Sequence, residues 1–249
     1  RLTAEERLAG DAIALLKRAG IPMIDDSEDG SRGSGLMHHK FVVVDRSMVI
    51  TGSANFTSSG MHGDAGASRS RGNINHLLSI RSSELAGLFR AEFEQMWGDG
   101  PGGEQNSQFG RGKDNRGLKA VRVNGITVHV LFAPHSKKSP EHGLILIREQ
   151  LAAAKRSIDM ALFVFSDQSL TNVLAEQMNA GIDIRLLADP SFASRSFSEV
   201  LDLLGVELPD RFCKLEAGNR PLKTPLETVG TPRLDKGDKL HHKFAVIDN

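Results

Sequence analysis

Met37–Arg46 reads M-H-H-K-F-V-V-V-D-R, and Leu240–Asn249 reads L-H-H-K-F-A-V-I-D-N. In both copies a His stands two residues ahead of a Lys, and an Asp follows five residues after that Lys. The first set is His38, Lys40 and Asp45; the second is His241, Lys243 and Asp248. The β-branched and aromatic run after each Lys predicts a strand. A strand turns residues two apart to one face, so each copy presents an imidazole beside an ammonium. By the same alternation His39, Asp45, His242 and Asp248 point the other way. His39 and His242 then pack behind the strand, and the two Asp side chains close a turn or pair a cation there.

Working outward, the pattern is that of an α/β chain. A capping-box pattern at Thr3 and Glu6 opens a helix over residues 3–19, and Gly20 stops it. Ile21–Ile24 reads as a short strand and Asp25–Gly35 as a loop. Met48–Thr51 is the hairpin partner of the first motif strand, and Gly52-Ser53-Ala54-Asn55 follows it. A small-residue loop runs from Thr57 to Gly72, with Arg69 and Arg71 solvated on it. Ile74–Ile80 is a strand, and a Ser-capped helix over Glu84–Trp97 buries one apolar face, with Trp97 and the Phe residues in the core. His62 and His76 read as loop and sheet-face residues. Residues 98–117 hold seven glycines, the composition of a flexible linker. Beyond it come a hairpin turning at Asn124-Gly125, a helix from Pro140, an apolar strand Ile158–Phe165, a helix over Ser169–Ala180, a strand Ile182–Ala188 and a helix Phe197–Leu204. Residues 207–239 are loop-rich and lead to the second motif. Strand, helix, strand in this order predicts a parallel pair.

The halves correspond. Ala19-Gly20-Ile21 ahead of the first motif matches Ala180-Gly181-Ile182 ahead of the second. The expected organisation is a first half over residues 1–97, a linker over 98–120 and a second half over 121–249. Nothing in the first half matches Ile126–Phe165, and nothing follows the second motif. The sequence therefore reads as an internal piece of a longer protein, with sheet strands missing at both ends.

The 249 residues carry a formal net charge of zero, which removes the global basic field expected of a nucleic-acid binder. The single cysteine, Cys213, excludes an internal disulfide and a cysteine-rich zinc module, and reads as a buried apolar residue. No apolar run approaches the roughly 18 residues of a membrane-spanning helix.

Two His–Lys couples suit attack on a phosphodiester. Two ammonium groups hold the non-bridging oxygens. One imidazole attacks phosphorus and the other protonates the leaving oxygen. Ser53 and Asn55 offer hydroxyl and amide donors at a strand end, with Gly52 permitting close approach. No Cys or acidic residue stands at ligand spacing beside the His pairs, so neither metal nor other cofactor is expected.

H-x-K-x4-D followed by six residues and G-S-x-N, complete from His38 to Asn55, resembles the signature of the phospholipase D superfamily; His241–Asp248 repeats its first part. The resemblance implies two related α/β halves packed about a pseudo-two-fold, with the site at their interface. It counts His38, Lys40, Asp45, His241, Lys243 and Asp248 as catalytic residues. It implies a covalent phosphohistidine, with His38 as nucleophile and His241 as acid/base, and no metal. One position departs from the family. Asn75 stands where many members carry a Glu that orients a catalytic His. The expected partner is a phosphodiester, a phospholipid ahead of nucleic acid, hydrolysed or transferred to an alcohol. A metal-independent endonuclease is the alternative, since G-S-A-N-F-T resembles the trailer of small bacterial endonucleases. A non-catalytic phosphate-binding scaffold is the reading from another class.

Overall fold

The structure is a computed structural model describing residues 4–24, 36–63, 69–101, 106–114 and 117–249, with the backbone alone over residues 4–10. The expected loop Asp25–Gly35 lies outside the described residues.

In order, the elements are α1 (Ala4–Arg18), β1 (Phe41–Val44), β2 (Met48–Gly52), α2 (Ser58–Met61), β3 (Leu77–Arg81) and α3 (Ser83–Trp97). There follow β4 (Lys119–Val123), β5 (Ile126–Val130), α4 (Gly143–Ala152), β6 (Ser157–Leu162), α5 (Gln168–Asn179) and β7 (Asp183–Ala188). The chain continues through α6 (Pro190–Ala193), α7 (Glu199–Leu203) and β8 (Val229–Gly230) to β9 (Lys243–Ile247). The sheets run β1-β2-β3, β4-β5 and β8-β7-β6-β9. Ile21–Ile24, expected as a strand, joins no sheet among the described residues. Pro22, with no N–H, leaves that stretch one ladder donor short.

Local chemistry sets the element ends. Ser82 Oγ accepts the Leu85 N–H and starts α3, and Gly98 at φ 55° ends it. Asn124 and Gly125, at φ 49° and 85°, make the tight turn between β4 and β5. Asp45 and Arg46, also at positive φ, turn β1 into β2. The helix endings at Gly20 and Gly181 match in detail. Ile21 N donates to Leu16 O and Gly20 N to Lys17 O, while Ile182 N donates to Gln177 O and Gly181 N to Met178 O. Both glycines have positive φ, so this is the same C-terminal cap built twice.

Contacts gather the chain into two compact units, each with its own core. The first comprises Arg1–His39, Val43–Val49 and Ile80–Ser139. Its core is Val49, Leu85, Ala86, Val121 and Val130. The β4–β5 hairpin, assigned from the sequence to the second half, thus packs on first-half residues, because Val121 and Val130 need an apolar face and α3 supplies one. Phe93 on α3 is 45% exposed and stacks on Trp97, so it stands at the margin of the apolar face rather than in the core. Residues 106–114 are held rather than loose: Ser107 Oγ donates to Trp97 O and Gln108 N to Gln95 O.

The second unit comprises Lys40–Val42, Ile50–Ser79 and Pro140–Asn249. β6 pairs parallel with β7 and antiparallel with β9, so the second motif strand lies directly against the apolar strand. Ile158, Met160, Ile184 and Leu186 of β6 and β7 meet Leu151 of α4 and Val173 and Leu174 of α5 in its core. Cys213 is exposed rather than buried. It sits at φ 57° in a turn where the Asp210 carboxylate accepts the Phe212 and Lys214 N–H groups, and the turn carries its side chain outward.

Candidate active site

Within the second unit, residues 73–75 lie alongside residues 239–241. Ile74 N donates to Lys239 O, His241 N donates to Ile74 O, and Asn73 Oδ1 accepts from Lys239 N. Leu240 N is held by the carboxylate of Asp189, fully buried just after β7. Asp238 accepts from Ser70 Oγ and Arg71 N, which ties the loop before Asn73 to the segment leading into β9. These bonds bring Asn75 against the ring of His241.

His241 is 8% exposed. Its Nδ1 stands 3.0 Å from Ser53 O and 3.0 Å from Asn75 Oδ1. The Asn75 amide orientation is fixed, since its Nδ2 donates to Gly60 O and Asn73 O while Oδ1 accepts from Ser53 Oγ at 2.8 Å. Both neighbours of Nδ1 are therefore acceptors, so in the neutral ring Nδ1 carries the proton and Nε2 the lone pair. Asn75, flagged in the sequence as a departure from a carboxylate, orients the histidine of the other motif copy.

Ser53 is 4% exposed, and its one proton goes to Asn75 while its oxygen accepts from His76 N at 3.1 Å. The sequence reading aimed this hydroxyl at a phosphate; in the structure it holds Asn75 and His76 in place. Gly52 is needed for that approach, because a Cβ there would lie 2.1 Å from His76 O. Asn55 is exposed at the end of the same segment.

The expected strand alternation is visible in the ring contacts. His241 packs at 4.7 Å on Phe163, and Lys243 Nζ lies 4.9 Å from the centre of that ring. Lys243 Nζ also donates to His241 O. His242 and Phe244 both meet His76 instead. His76, read from the sequence as a plain sheet-face residue, has its Nδ1 3.1 Å from His242 Nδ1. Loss of hydration pushes the Lys243 ammonium down to about 8, helped by the charge of Lys40. Lys40 is lowered by burial alone. Burial and the Lys243 charge lower His76, and burial, His76 and Lys243 lower His242. Burial and mutual repulsion of these cationic groups favour a negative charge beside them.

The remaining expected site residues fall as follows. His38 is exposed and lies in the first unit, two residues before Lys40. Asp45 is exposed in the β1–β2 turn. Asp248 accepts from the backbone N–H groups of Lys155, Arg156 and Ser157, which hold its carboxyl below the usual range. Its carboxylate thus fastens the chain ahead of β6. Among the described residues no grouping of three or more His, Cys, Asp or Glu could hold a metal ion.

A family of known proteins and several relatives match the chain. The family described as "Cardiolipin synthase, PLD-like domain" matches residues 3–97 and 147–249, leaving the span between them outside. Mitochondrial cardiolipin hydrolase of mouse (Mus musculus) is 36% identical over 90 residues, which are 36% of this chain and 34% of that protein. The human (Homo sapiens) protein of that name is 36% identical over 90 residues, 36% of this chain and 30% of its own length. The protein of that name from Xenopus laevis is 32% identical over 88 residues, 35% of each chain. The chain thus spans about a third of the length of the relatives it matches.

Proposed function

Because the chain belongs to the phospholipase D-like domain family of the cardiolipin synthase type, we propose that it breaks a phosphodiester through a covalent phosphohistidine. The observation that carries this reading is the ring of His241, with its Nδ1 proton committed to Ser53 O and Asn75 Oδ1 in a cluster that includes Lys243.

In the proposed reaction Lys40 and Lys243 bind the non-bridging oxygens as point charges, and the Asn55 amide donates to the same phosphate. The His38 imidazole attacks phosphorus, a P–N bond forms, and the P–O bond to the leaving group breaks. His241, entering as the imidazolium, gives its Nε2 proton to the departing oxygen. It then takes a proton from water, or from an acceptor alcohol, as that oxygen displaces His38. Its Nδ1–H stays with Ser53 O and Asn75 through both steps. Ser53 acts through Asn75 and His241, and Asp45 and Asp248 keep the two motif strands in place.

A phospholipid is the favoured substrate, since the family's description and the relatives' names both refer to cardiolipin. The test is turnover by the chain of phosphatidylcholine and cardiolipin vesicles beside plasmid and single-stranded DNA. Release of phosphatidic acid or of a phosphatidyl-alcohol supports the lipid reading, and nicking of DNA alone replaces it with the nuclease. His38→Ala and His241→Ala are each expected to cost about three orders of magnitude or more in kcat, as loss of one member of a unit does. Near-full turnover in either variant excludes the two-histidine scheme.

A further inference from the structure

Glu92 occupies a core position with a charge. On α3, Leu85, Phe89, Glu92 and Met96 are spaced as one helical stripe, and Leu85 and Met96 are buried. Glu92 itself is 2% exposed. Its Oε1 accepts from His39 Nε2 at 2.8 Å and from Lys113 Nζ, and Gln95 Nε2 approaches Oε2 at 3.4 Å. Burial pushes this carboxyl up, but the bonds from His39 and Lys113 hold it below the usual range. Lys113 comes from the glycine-rich segment and also donates to Ala133 O at 2.8 Å. The His39 ring stands edge-on to Phe132, itself packed against the core.

A buried ion pair is a poor source of stability, because an apolar pair of similar volume usually serves as well or better. What Glu92 does that a leucine could not is hold one particular imidazole. That imidazole belongs to the residue between His38 and Lys40. His39 stands two residues ahead of β1, and a residue held there by its side chain restrains the backbone of both its neighbours.

We propose that Glu92, held by Lys113, is a positioning residue for the first motif: gripping His39 from behind, it sets where His38 and Lys40 are presented to the phosphodiester. This rests on the phosphodiesterase reading above. It also gives the glycine-rich segment a function, that of carrying the cation that keeps Glu92 charged. The second copy has a different arrangement at the equivalent place, where His242 meets another imidazole, His76. The two motifs, alike in sequence, are thus backed by unlike chemistry.

The experiment compares the wild-type chain with Glu92→Leu/Lys113→Met, which removes both charges together and leaves no uncompensated ion, and with Glu92→Gln, which keeps an acceptor oxygen for His39. Turnover of bis(para-nitrophenyl) phosphate, thermal unfolding and amide hydrogen exchange are measured on each. The double variant is expected to melt near wild type and lose about ten- to a hundredfold in kcat with KM changed less than about twofold, the scale seen when partners behind reactive imidazoles are removed. Glu92→Gln is expected to keep kcat within about fivefold of wild type, as a rescue by geometry without charge. A double variant with wild-type kcat overturns the proposal, as does a loss carried wholly by KM. If His38→Ala turns over as wild type does, the phosphodiesterase scheme fails instead. Exchange at residues 38–41 then decides the positioning role by itself: about tenfold faster exchange in the double variant, with Leu85 unchanged, supports it, and no change overturns it.

Discussion

Lys243 concentrates the electrostatics of the site in one side chain. Desolvation and the nearby Lys40 bring its pKa down to about 8. Only the ammonium form holds a phosphate oxygen, so binding is present below that value and lost as pH rises through it. kcat/KM, which reports the free enzyme, should fall with a basic limb near pH 8. Lys243→Met should remove the limb together with most of the turnover. A pH profile flat from about pH 7 to about pH 9.5 in the wild type would count against Lys243 as a phosphate ligand. The same lowered pKa has a thermodynamic sign. Above about 8 the folded chain has released a proton that the unfolded chain keeps until the ordinary lysine value. In that window the unfolded state binds more protons, so the cost of burying this ammonium is relieved and stability rises with pH. The charge that the proposed catalysis uses is therefore the charge that costs the fold stability, on the acid side of one titration.

At the scale of elements, the close approach of Gly52 to His76 is the tightest constraint on the site. Gly52→Ala would place a Cβ 2.1 Å from His76 O, so β2 or the segment before β3 must shift. A backbone oxygen cannot rotate away as a side chain can. The expected cost is about 1–3 kcal/mol of stability, as for other overpacked positions, measured by urea unfolding. The shift also moves Ser53, and hence Asn75 and His241, so turnover should fall further than stability alone explains. Unchanged stability and unchanged kcat would mean that the approach is not needed.

Much of this level was legible beforehand, because it depends on nearby residues. The motif strands, the Asn124-Gly125 turn, the Ser82 cap and the helix endings at Gly20 and Gly181 are all written in windows of a few positions. What could not be read is which ring meets which. Asn75 reaches His241 across 166 positions, and no local pattern encodes that pairing. The glycine-rich segment misled for a related reason: composition reports its freedom, but not the grip of Lys113 on Glu92. One signal was available and unused. A glutamate on the apolar stripe of α3 is an anomaly, and buried acids on such stripes have partners. Cys213 was misjudged because a thiol's usual burial says nothing of the positive-φ turn that turns it out.

For the whole molecule, the two regions matching one family and the duplicated helix ending describe a chain built twice from one α/β plan. The chemistry proposed for it uses nitrogen bases and ammonium groups throughout. Dialysis against EDTA should therefore leave both turnover and melting temperature unchanged within error. Loss of activity that added zinc restores would replace the phosphohistidine scheme with a metal-assisted one. No helix among the described residues is long and apolar enough to cross a membrane.

The outward-turned thiol at position 213 has a practical consequence. With no second cysteine anywhere in the sequence, a maleimide-linked fluorophore would couple at that one point of the native chain. Adsorption to liposomes could then be followed optically, apart from any bond-breaking, with no engineered substitution.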